Sequence, residues 1–400
     1  MPRPNLVKYS WTSLVVLANA FMLNSAALAQ APSTLPYGGI SSLVPSDDPI
    51  VHYRAYEAAI ARGDLEAAST AAVTAWQTGE RVWNGNNPNL PGLAFNAAWS
   101  LGLANKIGEG RAAARRAVDL AALHPDKVNV NEAAFLLAYG ELMATPTKAT
   151  VERFNAATQR VDNGGWGDFL LAKSYVDGAR AALNIANPRI ARDMIDRGLV
   201  EIARSAPYND VLRTSLFVLR TQSSLQLNVY MRAVSEVMEA RRSYGPPKSA
   251  RDVNWAALVA WEAASRAVYQ SVYGSTVRTG TRISREETFT EWSPEANRAL
   301  SATLPECRGF EFQRAGRGGP IGITFPGKEM NDGYAGGALV RASLDATGKV
   351  IATDILAALP RASFGTAAAT GIQGWRYVLP DGVPAQCRVV DVTLVYAFGN

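Results

Sequence analysis

The stretch of residues 337–398 constrains the fold of this chain more than any other part of it. Residues 338–344 are rich in β-formers and lead into the turn sequence DATG at 345–348, after which residues 349–356 again have the composition of a strand. Two such runs around a turn are typical of a β-hairpin. Residues 389–398 carry an apolar side chain at every second position, which predicts a further strand with one continuous apolar face.

A short helix is predicted between the hairpin and the last strand. Four apolar residues recur at helical spacing there, namely Phe364, Ala368, Ile372 and Trp375. One apolar helix face can therefore cover a sheet. The order strand, strand, helix, strand, strand (ββαββ) predicts a small α+β domain over residues 307–400, which follows a linker at residues 273–306.

Several short motifs of this region occur in a fixed order. They are Phe325-Pro326, Gly337, Asp345 with Gly348-Lys349-Val350, Phe364-Gly365 with Ala368, Trp375-Arg376-Tyr377, Gly382-Val383-Pro384 and Tyr396-Ala397-Phe398. In this order and spacing they resemble the C-terminal domain of TonB, the bacterial energy transducer. The resemblance covers less than a quarter of the chain. The alternative is a small α+β domain of ordinary hairpins, since alternation and glycine turns are common signals.

The resemblance implies a module that docks a short extended segment of an outer-membrane transporter by β-strand addition. Backbone hydrogen bonds along an exposed sheet edge would supply affinity, and pockets for alternate side chains would supply selectivity. The matching partner-binding positions are Val389, Val390, Asp391, Val392, Thr393, Leu394, Val395, Tyr396, Phe398, Phe325 and Pro326. We expect the edge of the last strand to be unpaired in the folded chain.

Residues 49–272 have the pattern of a helical-repeat domain. Helix breaks interrupt the Ala-rich apolar stripes at Gly63-Asp64, residues 108–110, Asn187-Pro188 and Asn228, with a looser copy around Ala138. The first two breaks lie roughly 45 residues apart, so the pattern resembles tetratricopeptide-like repeats with a longer period. Stacked helix pairs form a solenoid with a concave binding surface. The alternative is a compact helical bundle without a groove.

Residues 1–29 have the features of a secretory signal. Basic residues precede an apolar segment, and small residues end at Ala29 before Gln30, which predicts cleavage between these two residues. The apolar segment is shorter than the ~20 residues that span a bilayer. A periplasmic protein is therefore favoured over one anchored in the inner membrane. Residues 30–48 are rich in Pro, Gly and Ser and predict a flexible lead-in.

The chain has two cysteines, Cys307 and Cys387. Two cysteines in an exported protein can pair, so we predict a disulfide that ties the start of the C-terminal domain to its last strand. Two buried thiols are the alternative. A metal site is not predicted, because His52 and His124 lie near neither a cysteine nor each other in the sequence.

No stretch of the sequence predicts catalysis or cofactor binding. Residues 322–328 match a phosphate-binding loop, but Glu329 replaces the hydroxyl residue that binds Mg²⁺, and Pro326 removes a backbone donor. Neither histidine has features that would make it the base for a serine nucleophile. The formal net charge of +5 is spread along the chain, so no nucleic-acid partner is expected. We expect no enzyme, cofactor or metal.

The rest of the chain departs from TonB. Energised members of that family carry an uncleaved membrane helix and a long Pro-rich span, whereas this chain has a cleavable-looking signal and helical repeats. The sequence therefore predicts a periplasmic adaptor in transport across the outer membrane, which binds a transporter segment with its C-terminal sheet and a second protein with its repeats. The alternative is a structural scaffold whose small domain caps the solenoid and forms a homodimer through the same sheet edge.

Overall fold

The computed structural model of the chain describes residues 47–83, 85, 87–206, 209–249, 251–273, 289–291, 305–307, 310, 312–315, 323–332 and 334–397. The protein is mostly helical, with a small antiparallel sheet region near the C-terminus, so the predicted α+β layout is confirmed. The predicted signal, its cleavage site at Ala29 and Gln30, nearly all of the lead-in and most of the linker lie outside the described residues.

The described residues form two compact units: the first, the helical unit, ends at Leu212, and the second, the sheet unit, begins at Arg213. The helices described in the first unit are α1 (Pro49–Ala61), α2 (Leu65–Val82), α3 (Leu90–Leu103), α4 (Arg111–Ala121), α5 (Val130–Ala144), α6 (Lys148–Asn163), α7 (Phe169–Asn184) and α8 (Pro188–Ser205). Helix α9 (Asp210–Gln226) begins at the end of this unit and lies mostly in the next.

Short polar side chains start several of these helices. The Asp64 carboxylate accepts the N–H of Ala67 at 3.0 Å at the start of α2. Thr147 and Thr150 exchange side-chain and backbone hydrogen bonds in a capping box at the start of α6. Such caps satisfy backbone donors that the first helical turn leaves unpaired. The predicted break at Gly63-Asp64 therefore has a local cause.

Helix pairs repeat along the first unit. The first helices of successive pairs begin at Pro49, Leu90, Val130 and Phe169. Their spacing is about 40 residues, as in two-helix repeats, and is shorter than the period of the first two breaks. The helical-repeat character predicted from the sequence is therefore present. The looser copy predicted around Ala138 corresponds to the pair α5–α6, in which α5 continues to Ala144 and the break lies at residues 145–147.

A carboxylate whose side chain is only 12% exposed ties α5 to α7. Asp177 on α7 accepts hydrogen bonds from Tyr139 Oη at 2.6 Å and Lys173 Nζ at 2.8 Å, and an Arg180 guanidinium nitrogen lies 3.2 Å away. Burial alone would raise the pKa of Asp177. The two cations and the hydrogen bonds outweigh burial and lower this pKa below its usual value. The first unit thus contains a charged network closed by its own side chains.

The second unit combines helices with strands. Its remaining elements are α10 (Tyr230–Tyr244), α11 (Val253–Tyr273), β1 (Phe289–Glu291), β2 (Gln313–Arg314), α12 (Gly327–Asn331), β3 (Gly336–Leu344), β4 (Val350–Leu359), α13 (Ala362–Ile372), β5 (Tyr377–Val378) and β6 (Val389–Tyr396), with short 3₁₀ turns at Pro305–Cys307 and Ala385–Cys387.

The larger sheet has the strand order β1-β6-β3-β4, and all its pairs are antiparallel. Strands β2 and β5 form a separate two-stranded sheet. The predicted hairpin is β3–β4. Its turn is held by Asp345, whose carboxylate accepts the N–H of Thr347 at 2.8 Å and of Lys349 at 3.0 Å. Gly348 is required there, because its φ is +79° and a Cβ would lie 1.8 Å from the Tyr377 carbonyl oxygen.

Helices cover both faces of the larger sheet. On one face α13 buries Phe364, Ala368 and Ile372 against the strands, as the helical spacing predicted. On the other face α11 crosses the sheet at Gly337. A Cβ at this position would lie 2.4 Å from the Ala263 Cβ and 2.7 Å from the backbone nitrogen of Ala264. The absence of a side chain therefore permits the close approach of α11.

The boundary between the two units differs from the sequence-based division at residue 272. Helix α11 falls inside the predicted repeat region, yet it shares one apolar core with β3, β4 and β6. Leu339, Leu359 and Val395 are buried against this helix. Periodicity identified the apolar residues of α11 but could not show that a sheet covers them.

Cys307 and Cys387 form a disulfide whose Cα atoms are 5.3 Å apart. Val383, Phe310 and Phe312 surround it in a small apolar cluster. The predicted tie between the start of the C-terminal domain and its last strand is confirmed, and the alternative of two thiols is wrong.

Candidate functional site

The predicted partner-binding strand is β6, and both of its faces are buried. Its first face packs against α13 through Val390, Val392, Leu394 and Tyr396. Its second face, toward α11, carries Asp391, Thr393 and Val395, which are also buried. Val389 is half-buried at the start of the strand, and Phe398 lies outside the described residues. A partner could therefore reach this strand only through its backbone edge.

The outer edge of β6 is partly paired by the chain itself. Strand β1 lies antiparallel to β6, with Phe289 opposite Tyr396, Thr290 opposite Val395 and Glu291 opposite Leu394. The prediction of an unpaired edge is wrong at these three positions, because residues about a hundred positions earlier supply a strand. Along residues 389–393, no strand pairs with this side of β6 within the described chain.

The approach segment predicted to bind a partner packs into the protein. The half-buried Phe325 ring lies 5.8 Å from the Phe364 ring and 5.7 Å from the Tyr396 ring, measured between centroids. Pro326 follows at the N-terminal end of α12. Phe325 therefore helps to hold α13 on β6, which is a structural contact.

The opposite edge of the sheet is β4. Val350 donates its N–H to the Trp375 carbonyl, and no described strand pairs with the outer side of residues 351–359. Two register shifts leave Ile351 and Leu356 as extra residues in β4. Such bulges interrupt an edge and protect it from unspecific pairing. Between these two bulges, residues 352–355 keep a regular register with β3.

A row of three charged side chains crosses the α11 face of the sheet. Arg341 on β3 lies in register with Asp391 on β6 and with Asp354 on β4. The Arg341 guanidinium binds both oxygens of the Asp391 carboxylate, at 2.8 and 3.0 Å. Asp391 belonged to the predicted site, whereas Arg341 and Asp354 did not. One charged residue within each apolar strand was the sequence signal, but the register that aligns them could not be read from it.

A cavity of about 220 Å³ lies between this row and the segment that leads into α11. It is lined by Arg341, Asp354, Asp391, Ile355 and Leu356 from the sheet, and by Pro247, Ser249, Arg251, Asp252, Val253, Trp255 and Ala256 from the helical side. The Arg251 guanidinium lies 2.8 Å from the Asp354 carboxylate at the mouth of the cavity.

The pKa of Asp391, which lines the cavity, is shifted by burial and by two neighbouring charges. Burial raises the pKa of Asp391, its ion pair with Arg341 opposes this, and the nearby charge of Asp354 adds to the rise. The net pKa shift is upward. Asp252 is used by the protein itself, since its carboxylate accepts the N–H of Asn254 and of Trp255 at 3.1 Å and the hydroxyl of Tyr244.

No family model and no curated protein matches the chain. Among the residues that the structure describes, no helix is long and apolar enough to cross a membrane. The same residues contain no group of three or more His, Cys, Asp or Glu side chains placed to hold a metal ion.

Proposed function

We propose that this protein is a periplasmic adaptor whose C-terminal sheet binds an extended segment of an outer-membrane transporter by strand addition along β6, as the resemblance to the TonB C-terminal domain implies. The helical repeats would offer a second surface for another protein. In this proposal the elements β3, β4, α13, β5 and β6 form the ββαββ core of that family's domain.

The pairing of β1 with β6 is the observation that carries the proposal. Strand β1 comes from a remote part of the chain and adds only three residues to the edge. An edge that accepts one short antiparallel strand has the backbone geometry to accept another. Residues 389–393 offer five further positions without a described strand.

Recognition at this edge would depend on backbone hydrogen bonds. The side chains of β6 from Val390 to Tyr396 are buried on the two faces of the sheet, so they are not available to select a partner along the strand edge. A partner that extends past residue 393 would compete with β1 for positions 394–396. Only molecules in which β1 has left β6 could bind such a partner. The apparent affinity for the partner would therefore fall as the fraction of molecules with β1 paired rises.

A groove in the helical unit supports the second surface. It lies between α1 and α3, has a volume of about 450 Å³ and is lined by side chains that include Tyr53, Arg54, Glu57, Asn96 and Lys127. Mixed polar and apolar grooves between stacked helix pairs are typical protein-binding surfaces. The partner of this groove would be a different protein from the one at the sheet.

Export is part of the proposal. It is supported by the signal-like N-terminal sequence and by the disulfide, since disulfides persist mainly in oxidising compartments. N-terminal sequencing of the protein from the periplasm should find Gln30 first. Recovery of the intact chain in the inner-membrane fraction would instead indicate an anchored protein.

The strand-addition proposal is tested by removing the competitor strand. Synthetic peptides that copy the extended, periplasm-facing segments of outer-membrane transporters are titrated against the full chain and against Thr290→Pro and Glu291→Pro. Because N–H groups of an antiparallel strand alternate in direction, one of these prolines removes a donor toward β6. We expect that variant to bind a peptide several-fold more tightly.

The control is Thr281→Pro, which lies in the same linker but outside β1. It should bind like the parent chain. If no peptide binds any variant, strand addition along β6 is wrong. If the proline in β1 instead yields a concentration-dependent dimer in gel filtration, the scaffold alternative is favoured, in which the edge pairs with a second copy.

A further inference from the structure

The cavity between the charged row and the segment that leads into α11 is lined by charged side chains that the proposed function does not use. The row reads aspartate, arginine, aspartate across β6, β3 and β4. Asp391 is already paired, because Arg341 binds both of its carboxylate oxygens. Asp354 stands at the outer end, on an edge strand, so the sheet gives it a neighbour on only one side.

The protein places a guanidinium beyond Asp354. Arg251, from the segment before α11, makes a single hydrogen bond of 2.8 Å to one carboxylate oxygen of Asp354. The Arg251 side chain is 79% exposed, and ion pairs of that exposure contribute little to stability. Within the described residues, no other cation contacts Asp354. The Asp354 carboxylate is therefore held by an exposed ion pair that costs little to break.

The size of the cavity favours a single side chain. At about 220 Å³ it is smaller than the roughly 300–1,000 Å³ typical of small-molecule sites. Apolar surface continues outside it, since Val253 is 57% exposed and Ile355 is 42% exposed. A free amino acid would leave this rim uncovered, whereas a protein partner with an inserted side chain would cover it.

The charge balance selects a cation. Three aspartates and two arginines line the cavity. The positive end of α11 does not offset the excess of carboxylates, because Asp252 already caps it. An arginine matches a carboxylate better than a lysine does, since its planar group can bind both oxygens at once.

We propose that this cavity takes an arginine side chain of a partner protein, which replaces Arg251 on the Asp354 carboxylate and covers Val253 and Ile355 with its flanking residues. The site lies at the β4 side of the sheet and is independent of strand addition along β6. Its failure and the failure of the proposed function are distinguishable, because the prolines in β1 leave this cavity unchanged.

The test uses the full chain and a fluorescein-labelled peptide, Ala-Leu-Arg-Leu-Ala, with citrulline and lysine versions as probes of charge and shape. Anisotropy should show saturable binding of the arginine peptide, weaker binding of the lysine peptide and about tenfold loss with citrulline, which keeps the shape but not the charge. Asp354→Asn should reduce affinity for the arginine peptide by about tenfold as well.

The most specific expectation concerns Arg251→Gln. Removal of the competing guanidinium should raise affinity two- to threefold, within the range measured for exposed ion pairs, whereas a merely structural Arg251 would give no gain. Asp381→Asn, an exposed aspartate outside the cavity, is the matched control and should bind normally. Equal binding of the arginine and citrulline peptides, or unaltered binding by Asp354→Asn at unchanged Tm, overturns the proposal. Loss of self-association in Asp354→Asn without peptide binding also overturns it, because a second copy would then be the occupant.

Discussion

Packed helices and the sheet surround carboxylates differently in this protein. In the helical unit Asp177 is reached by Lys173 from one turn away, by Arg180 and by Tyr139 of another helix, so its partners approach from several directions. In the sheet, Asp391 meets its cross-strand neighbour Arg341, and Asp354 is reached by Arg251 from outside the sheet. A residue on an edge strand has one such neighbour, and the other side is left to a loop or to a partner.

This difference shows where a binding site can arise in such a chain. Packed helices close a charged network with their own side chains, whereas a row across a sheet has two ends. Here the α11 and α13 layers cover both faces of the sheet, so the ends of the row and the strand edges are the parts that remain accessible.

The largest expected effect comes from the disulfide, which constrains the sheet unit alone. Replacing Cys307 and Cys387 together with alanine should destabilise this unit by roughly 4 kcal/mol, from the entropy of the long loop that the disulfide closes. The bonded residues are 80 positions apart. Hydrogen exchange read by mass spectrometry should show faster exchange in β3 and β6 but unchanged exchange in α5 and α7. Equal loss of protection in both units would contradict the comparison.

A matched pair of glycine substitutions should act in opposite directions. Gly337→Ala puts a methyl group 2.4 Å from the Ala263 Cβ, so α11 must move off the sheet. We expect a loss of about 3 kcal/mol, at the upper end of overpacking costs. Gly92→Ala in α3 meets nothing within 4 Å and should stabilise the helical unit by about 0.5–1 kcal/mol. Urea unfolding of both variants measures this.

A stable Gly337→Ala variant would contradict the contact between α11 and the sheet. In that case the second face of the sheet would have another cover, and the boundary between the units would move toward residue 272. The Gly92 variant shows whether alanine in place of glycine is tolerated in this chain where space is open.

The hairpin, its turn and helix α13 followed from the sequence because each depends on local chemistry, whereas the disulfide followed because the chain has two cysteines. Gly348, Asp345 and the spacing from Phe364 to Ile372 fix conformations within a few residues of themselves. The cover of the second sheet face did not follow. Asp391 and Thr393 alternate with apolar residues, so that face has the pattern of a solvent-exposed one, although Arg341 neutralises the aspartate under α11.

Two further features depend on long-range pairing and were not predictable. Strand β1 is only three residues long and carries no periodicity that could be recognised. The candidate cavity depends on the register of three strands, which aligns Arg341 with Asp354 and Asp391. A single charged residue in each strand is a usable signal only when the strand order is known.

The smallest expected effect is a pH dependence of opposite sign in the two units. The pKa of Asp177 is lowered, so its charged form stabilises the helical unit above the unfolded value of about 3.9, and this contribution is lost as the pH falls through the lower folded value. The pKa of Asp391 is raised chiefly by burial, so its charge destabilises the sheet unit near neutrality, and the cost is relieved as the pH falls through the higher folded value.

Asp177→Asn should therefore cost stability near neutrality and progressively less in acid. Asp391→Asn should lessen the gain that the parent sheet unit makes as the pH falls from 7 toward 4. Hydrogen exchange at several pH values, read separately in α7 and β6, measures both, and shifts of the same sign would show that the Arg341 ion pair outweighs the burial of Asp391.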